Sequence, residues 1–360
     1  MDRRRFLSSA TLATGASALA APAVAANTLE FVIVSSWPRD FPGLGISAQR
    51  LAARLVEASG GEIDVQYFAA GERVGAFDVF DDVSSGNSQA YISADYYFKG
   101  KHPAWAPFST IPFGLTYTEL DAWIKFQGGQ ALWDELAGEF NLKNLACGNT
   151  GVQMGGWFNK EINSPDDFRG LKMRIPGLGG DMLAKLGASP VSLPGGQIYE
   201  NLVSGAIDAT EWVGPYNDYF MKFYEAAKYY YWPGVHEPGT QLSLGINRDF
   251  WHSLSDAHRA LIEAVSHEEN ARQMAEANAN NGFYLNKMIT ENGVELREFD
   301  IEIFDAYAEA SAEVIEEARE HSELSARIFD SVLRARTELA SWGAISDVAF
   351  AQKRNAALGL

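Results

Sequence analysis

The sequence predicts an α/β fold of two lobes with a cleft between them, and three observations carry that expectation. Alternating strand-like runs and helical-period stretches succeed one another from residue 29 to residue 299, the order that builds a mainly parallel sheet from βαβ units. The chain has 360 residues, more than a single hydrophobic core usually organises. No repeat or low-complexity linker divides it, which suits a chain that crosses between its lobes several times.

Residues 1–25 read as an export signal. Arg3-Arg4-Arg5-Phe6-Leu7 heads an apolar, small-residue stretch ending in Ala23-Val24-Ala25, a small-x-small cleavage site. Paired arginines before Phe-Leu are a twin-arginine signature, implying export of a folded protein. The alternative is a membrane anchor, but the apolar segment is interrupted by Gly15 and Pro22 and falls far short of the roughly 20 residues a spanning helix needs. Cleavage removes Arg3, Arg4, Arg5 and Asp2, taking the formal charge from −18 to −20. So acidic a surface argues against nucleic acid and anionic lipid as partners. An anionic substrate then needs a local positive site. The one cysteine, Cys147, excludes an internal disulfide and reads as a small buried apolar residue.

The run 29–35 predicts a strand, 45–59 a helix and 62–68 a second strand; 76–85 reads as a short helix and 90–93 as a strand. Tyr96-Tyr97-Phe98 opens an aromatic segment through Trp105, Phe108, Phe113 and Tyr117, kept from regular helix by Pro103, Pro107 and Pro112. Core filling is one reading of it. The other is that a hydroxyl of Tyr96 or Tyr97 serves a carboxylate; on an extended segment the two point oppositely and only one serves. The stretch 120–140 is helical and 142–148 a strand, followed by Asn149-Thr150-Gly151-Val152-Gln153 at the expected crossing between lobes. The amides of Asn149 and Gln153 offer the donors and acceptors that a polar ligand and a hard cation need, although Asn-Thr-Gly is also a turn sequence.

In the second lobe, 155–159 is a strand and Ser164-Pro165-Asp166-Asp167 a helix cap. Arg174 ends a strand-like run, where its guanidinium can hold a carboxylate through two parallel hydrogen bonds or form a structural salt bridge. Gly177-x-Gly179 is too weak for a dinucleotide fingerprint because Met182 stands at the third glycine position. Gly179 and Gly180 instead free backbone amides at a helix start near an anion. A helix over 197–204 stops at Gly205, and 207–212 is a strand carrying Glu211 beside Trp212. A carboxylate buried there requires a cation. The segment 219–232 reads as an aromatic amphipathic helix and 241–247 as a strand.

Ser253-Leu254-Ser255-Asp256 caps a very long helix to about Asn292, with Gly293 as its stop. His267-Glu268 is no zinc-protease motif, since Ala271 occupies the second histidine position. His252, His258 and His267 read as surface residues. A final strand covers 295–299, and 302–340 is helical with an apolar stripe including Ile315, Ile328, Phe329, Val332 and Leu333, which either packs as core or meets another subunit.

Arg174-Ile175-Pro176-Gly177, the run from Leu202 through Gly205, Ile207, Asp208 and Ala209 to Glu211-Trp212, and Pro165 to Lys172 together resemble the DctP-type solute-binding proteins of TRAP transporters over nearly the whole chain. Glu211-Trp212 followed by Gln241 is most similar to the branch that binds 2-oxo or 2-hydroxy monocarboxylates with a cation. The resemblance implies a two-lobed periplasmic binding protein fold with multiple crossovers, a long connecting helix and a C-terminal helical arm. Residues 26–149 and about 213–250 then form lobe I, 150–212 and about 251–310 lobe II, and 311–360 an arm exchanged in a homodimer. It further implies Arg174, Asn149, Gln153, Tyr96, Tyr97, Trp212 and Phe113 around the substrate. An all-oxygen metal shell would come from the side chains of Gln153, Glu211 and Gln241 and the carbonyl of Trp212, favouring Na⁺ or Ca²⁺ over zinc or copper. The expected function is capture of a pyruvate- or lactate-like acid and delivery to membrane subunits, with no catalytic residue. The alternatives are a metal-dependent hydrolase using Glu211 as base, which substrate depletion would reveal, and a sensory binding protein.

Overall fold

The computed structural model describes residues 28–360; the expected export signal lies outside the described residues. β1 (Leu29–Ser35), α1 (Leu44–Ala58) and β2 (Ile63–Phe68) make the first βαβ unit, with β1 and β2 parallel. α2 (Val79–Ser84) and β3 (Ala90–Ser93) extend it, and α3 (Tyr117–Phe126), α4 (Gly129–Glu139) and β4 (Leu142–Asn149) follow. The single helix expected over 120–140 is two, because Gly128 adopts a left-handed conformation (φ 87°) that helical backbone cannot continue through.

β5 (Gly156–Phe158), β6 (Lys172–Arg174), α5 (Gly177–Lys185), β7 (Ser189–Val191), α6 (Gly195–Val203), β8 (Ala209–Thr210), α7 (Pro215–Met221) and β9 (Tyr229–Trp232) come next. The helix expected over 219–232 is thus mostly absent. Lys222 (φ 57°) terminates α7, and the aromatic run Tyr229-Tyr230-Tyr231-Trp232 pairs antiparallel with β5, as bulky aromatics suit a pleated surface. β7 escaped the sequence reading; it lies at a sheet edge, where Pro190 removes no needed donor. The chain continues through β10 (Gln241–Asn247), α8 (Arg248–Ser253), the 37-residue α9 (Asp256–Asn292), β11 (Glu295–Glu298), α10 (Ile301–Arg319), α11 (Glu323–Ile345) and α12 (Asp347–Leu358).

Two sheets result, ordered β2-β1-β3-β10-β4 and β11-β9-β5-β8-β6-β7. The chain passes between them three times: from β4 to β5, from β9 to β10, and from β10 to β11 along α9. The region 213–250, expected wholly in lobe I, therefore divides. β9 is hydrogen-bonded within the second sheet and β10 within the first. α9, assigned to lobe II from the sequence, is anchored on the first lobe, where Glu269 accepts from Ser47 Oγ (2.7 Å) and pairs with Arg50.

Each lobe has one buried aspartate that gathers its strands. Asp95 accepts from Trp133 Nε1 (2.9 Å), Asn144 Nδ2 (3.0 Å) and Ser243 Oγ, while Asp218 accepts from Trp157 Nε1 (2.9 Å), Tyr230 Oη (2.7 Å) and the Val213 amide (3.1 Å). Burial pushes the Asp218 carboxyl up to about 7, its hydrogen bonds opposing the rise. Between the unfolded value near 3.9 and about 7, the folded state holds a proton that the unfolded chain has released. Stability should therefore fall as pH rises through that window and level off above it. Asp218→Asn is expected to flatten the change in urea-unfolding free energy between pH 5 and pH 8 by about 2 kcal/mol. An unchanged slope would place the proton elsewhere.

The arm expected over 311–360 is shorter than the sequence suggested. Ile315, Ile328, Phe329, Val332 and Ala335 are buried within this chain, and Trp123 Nε1 donates to Ser331 Oγ (3.0 Å), fastening α11 to α3. Their apolar stripe is core because it covers α3 and α4, which would otherwise expose theirs. Beyond it burial falls away: α12 packs only lightly on α11 and has no buried residue, and Trp342, Ile345, Val348 and Phe350 are exposed. Deletion from Arg327 onward removes several fully buried side chains worth about 1.5–3 kcal/mol each and should abolish cooperative unfolding. Deletion of residues 347–360 removes no buried side chain and should leave a single cooperative unfolding transition, as scanning calorimetry would show.

Candidate functional site

The first two crossings run side by side and hold each other. The Thr150 amide donates to Thr240 O (3.1 Å), the Gln153 amide to Glu237 O (3.1 Å), the Gly234 amide to Gln153 O (2.9 Å), and the Thr240 amide to Thr150 Oγ1 (3.2 Å). Their polar side chains lie on this zipped pair. Gln153 Nε2 donates to Glu237 Oε2 (2.7 Å), Thr150 Oγ1 (3.2 Å) and Thr240 Oγ1 (3.2 Å), so its Oε1 is left without a protein partner. Gln241 behaves alike. Its Nε2 faces three acceptors, Gly148 O (2.6 Å), Leu242 O (2.9 Å) and Asn270 Oδ1 (2.6 Å), which leaves its Oε1 unpaired. Asn149, opposite Gln241 in the β4–β10 ladder, accepts the Gly151 amide on Oδ1 (2.8 Å) and keeps a free Nδ2.

From the second sheet, β6 and β8 deliver Arg174 and Glu211, both fully buried. Arg174 Nε donates to Leu193 O (3.1 Å) and Nη1 to Glu211 Oε1 and Glu211 O (3.3 Å), while Nη2 has no protein partner. The guanidinium lies 5.2 Å from the centroid of the Trp212 ring, which Trp37 and Phe41 meet edge-on. α6 can start against this ring only because residue 195 is glycine; a Cβ there would stand 2.3 Å from Trp212 Cη2. Burial lowers the basicity of Arg174, and Glu211 together with Tyr97 and Tyr96 more than offsets it, so the guanidinium stays charged. The fork expected to take a ligand carboxylate is thus already engaged on two of its three nitrogens. Of the two readings open from the sequence, salt bridge or anion anchor, the structure contains the first and leaves Nη2 for the second.

Tyr96 and Tyr97 sit on a 3₁₀ turn (Asp95–Phe98), not on extended chain, so neighbouring side chains diverge by about 120° instead of 180°. Both interact electrostatically with Arg174 and Glu211, so the extended geometry behind the expectation that only one serves is absent. Burial raises both phenols, Tyr97 to about 12, so both are neutral donors. Tyr96 lies against Gly177, where a Cβ would approach its Cδ2 to 2.8 Å. With Pro176, Val191 and Ser192 the two tyrosines line a cleft of about 240 Å³. Gly180 does not free its amide, which bonds Pro176 O (3.4 Å), and Gly179 instead lets α5 approach His236. Phe113 reaches the second crossing through its backbone, its amide donating to Val235 O (2.8 Å). Its backbone is left-handed (φ 52°) and its ring meets Phe304 of α10 edge-on.

His236 and Glu237 were missed. They occupy the second crossing, and with Glu211 they form a buried trio whose ligand atoms all lie within 4.8 Å of one another. His236 Nε2 stands 3.5 Å from Glu211 Oε2. Glu237 is raised to about 7 by burial and by the Glu211 charge. Two ionisable residues inside the Gly- and Pro-rich stretch Pro233-Gly234-Val235-His236-Glu237-Pro238-Gly239 were the signal available in the sequence.

The donor set fits a hard cation. Gln153 Oε1, Glu211 Oε2 and Gln241 Oε1 are three buried oxygens that make no hydrogen bond within the protein, an arrangement costly unless something positive meets them. Beside them, Arg174 Nη2 and Asn149 Nδ2 are buried donors in the same condition.

Two sheets joined by crossings that themselves carry the polar groups define a two-lobed solute-binding protein. The chain belongs to the DctP family, bacterial extracellular solute-binding protein family 7, whose model matches residues 34–321, the solute receptors of TRAP transporters. It is 35% identical, over 97% of its length and 98% of the relative's, to the monocarboxylate 2-oxoacid-binding periplasmic protein of Nostoc sp.. A TRAP solute-binding protein of Bordetella bronchiseptica superposes with a TM-score of 0.90 at 34% identity, covering 92% of this chain and 98% of that one; it is a mixed-occupancy dimer with calcium and picolinate in one site. One from Pseudoalteromonas atlantica, with bound sodium and pyruvate, gives 0.87 at 34% identity, covering 90% and 99%.

Proposed function

We propose that this chain captures a small 2-oxo or 2-hydroxy monocarboxylate, of pyruvate or lactate size, together with Na⁺ or Ca²⁺ in the periplasm, and delivers it to TRAP membrane subunits. The observation that carries this reading is the set of unpaired buried oxygens on Gln153, Glu211 and Gln241, the side chains assigned to a cation from the sequence. With the Trp212 carbonyl they would hold the ion, which supplies positive charge and a coordination position for the acid's 2-oxygen. Arg174 Nη2, Asn149 Nδ2 and the tyrosine hydroxyls would hold the carboxylate. No group here is asked to make or break a bond. Na⁺ with pyruvate in the Pseudoalteromonas protein supports this ligand class, and Ca²⁺ with picolinate, a monocarboxylate with a ring nitrogen at the 2-position, in the Bordetella protein supports the pairing of a cation with an acid.

Export by the Tat pathway follows from the leader sequence, and a homodimer from the exposed apolar residues of α11 and α12. Light scattering should give a dimer for the mature chain and a monomer for the chain ending at residue 346; a monomeric mature chain would remove the dimer from this proposal. A thermal-shift panel of 2-oxo and 2-hydroxy acids, each with Na⁺, with Ca²⁺ and with chelator, tests the central claim. A ligand at 100 times its Kd adds about 2.7 kcal/mol of stability. No acid stabilising the protein under any of the three conditions would refute it.

A further inference from the structure

We propose that Glu237 sets the charge of the ion this site accepts and selects a divalent cation over a monovalent one. The assignment rests on the cation-and-acid reading above and deepens it.

Glu237 is buried, and its Oε2 receives hydrogen bonds from Gln153 Nε2 (2.7 Å) and from the Thr240 hydroxyl. Two donors converging on one oxygen suit a carboxylate. It stands within 4.8 Å of the Glu211 and His236 ligand atoms and touches the amide of Gln153, whose own oxygen is unpaired. Arg174 and Glu211 cancel. Glu237 and the incoming acid then each add one negative charge to the closed site. A divalent ion brings that total to zero, while a monovalent ion leaves one buried negative charge. Without Glu237, the total before the ion is one unit negative, and a monovalent ion suffices. The same result follows pairwise, since each elementary charge on the ion feels Glu237 once and a divalent ion therefore loses twice as much when Glu237 is neutralised.

Glu237 also ties the two crossings through Gln153 and Thr240, so a purely structural role has to be told apart from a charge effect. The ratio of ion affinities does this, because loosening the crossings weakens both ions together. The experiment uses the mature protein, stripped of metal by chelation, at pH 8. Kd values for Ca²⁺ and for Na⁺ are measured by calorimetry in saturating pyruvate for wild type, Glu237→Gln and Glu237→Asp. Wild type should bind Ca²⁺ more tightly than Na⁺. Glu237→Gln should shift the ratio toward Na⁺ by about tenfold to a hundredfold, and Glu237→Asp, which keeps the charge, by less than about threefold. A wild type that prefers Na⁺ overturns the assignment even if neither variant folds. A Glu237→Gln ratio within threefold of wild type overturns it while leaving the cation-and-acid reading intact. Pyruvate binding that needs no ion at all overturns both.

Discussion

Arg174→Ala is expected to lose both acid binding and stability, whereas Arg174→Lys should lose mainly the first. Arg174 is fully buried, and three separate directions are used: Nε to Leu193 O, Nη1 to Glu211, and Nη2 left for the ligand. Alanine strands the Glu211 carboxylate without its paired charge, a change that typically costs about 3–5 kcal/mol. Lysine keeps a positive charge beside Glu211, but one ammonium cannot reach all three directions at once. Loss of one partner of a desolvated charge pair weakens binding by about 2–5 kcal/mol, or more than tenfold in Kd. Urea unfolding and calorimetry separate the two effects. Should Arg174→Lys bind acid within threefold of wild type, the anchor lies elsewhere.

The second large effect belongs to Glu211→Gln, which should weaken the ion and the acid together. Glu211 is the carboxylate shared between the Arg174 ion pair and the unpaired oxygens, with Oε1 on Arg174 and Oε2 beside His236. The substitution takes a negative charge from the cation and leaves a neutral amide oxygen opposite Arg174 Nη1. If the ion bridges to the acid's 2-oxygen, each ligand must strengthen the other by the same factor. Pyruvate affinity should then fall by about tenfold or more on exhaustive removal of Na⁺ and Ca²⁺, and propionate, lacking the 2-oxygen, should bind more weakly than pyruvate by a similar factor. An acid Kd indifferent to chelation, or equal for propionate and pyruvate, would show that Arg174 and Asn149 act without a cation.

The residues legible in the sequence were those whose type conflicts with their surroundings. Arg174 and Glu211 are charges set in apolar strand-like runs, and β6 and β8 bring them together as neighbouring parallel strands. Gln153 and Gln241 were legible only through resemblance, since an isolated glutamine says nothing about which of its atoms is unpaired. That depends on Asn270, on a helix more than twenty residues away, and on the carbonyls of Gly148 and Leu242. His236 and Glu237 were obscured because Pro233, Gly234, Pro238 and Gly239 read as a loop, and loops hold most charged residues at the surface. Tyr229 to Trp232 misled in the other direction. Helical spacing in the preceding residues was carried across Lys222, where the backbone turns left-handed.

The order of strands in the first sheet also bears on how the protein is made. β10 is inserted between β3 and β4, and β4 joins that sheet only through β10. During synthesis β4 therefore waits without a neighbour until residue 247 has left the ribosome, and β11, which completes the other sheet, follows only at residue 298. The first sheet can close only after β5 to β9 of the second have been made, and the second closes only with β11. A nascent chain arrested before β10 should remain open to protease along β4, and the first protected species should emerge only when most of the polypeptide has been translated.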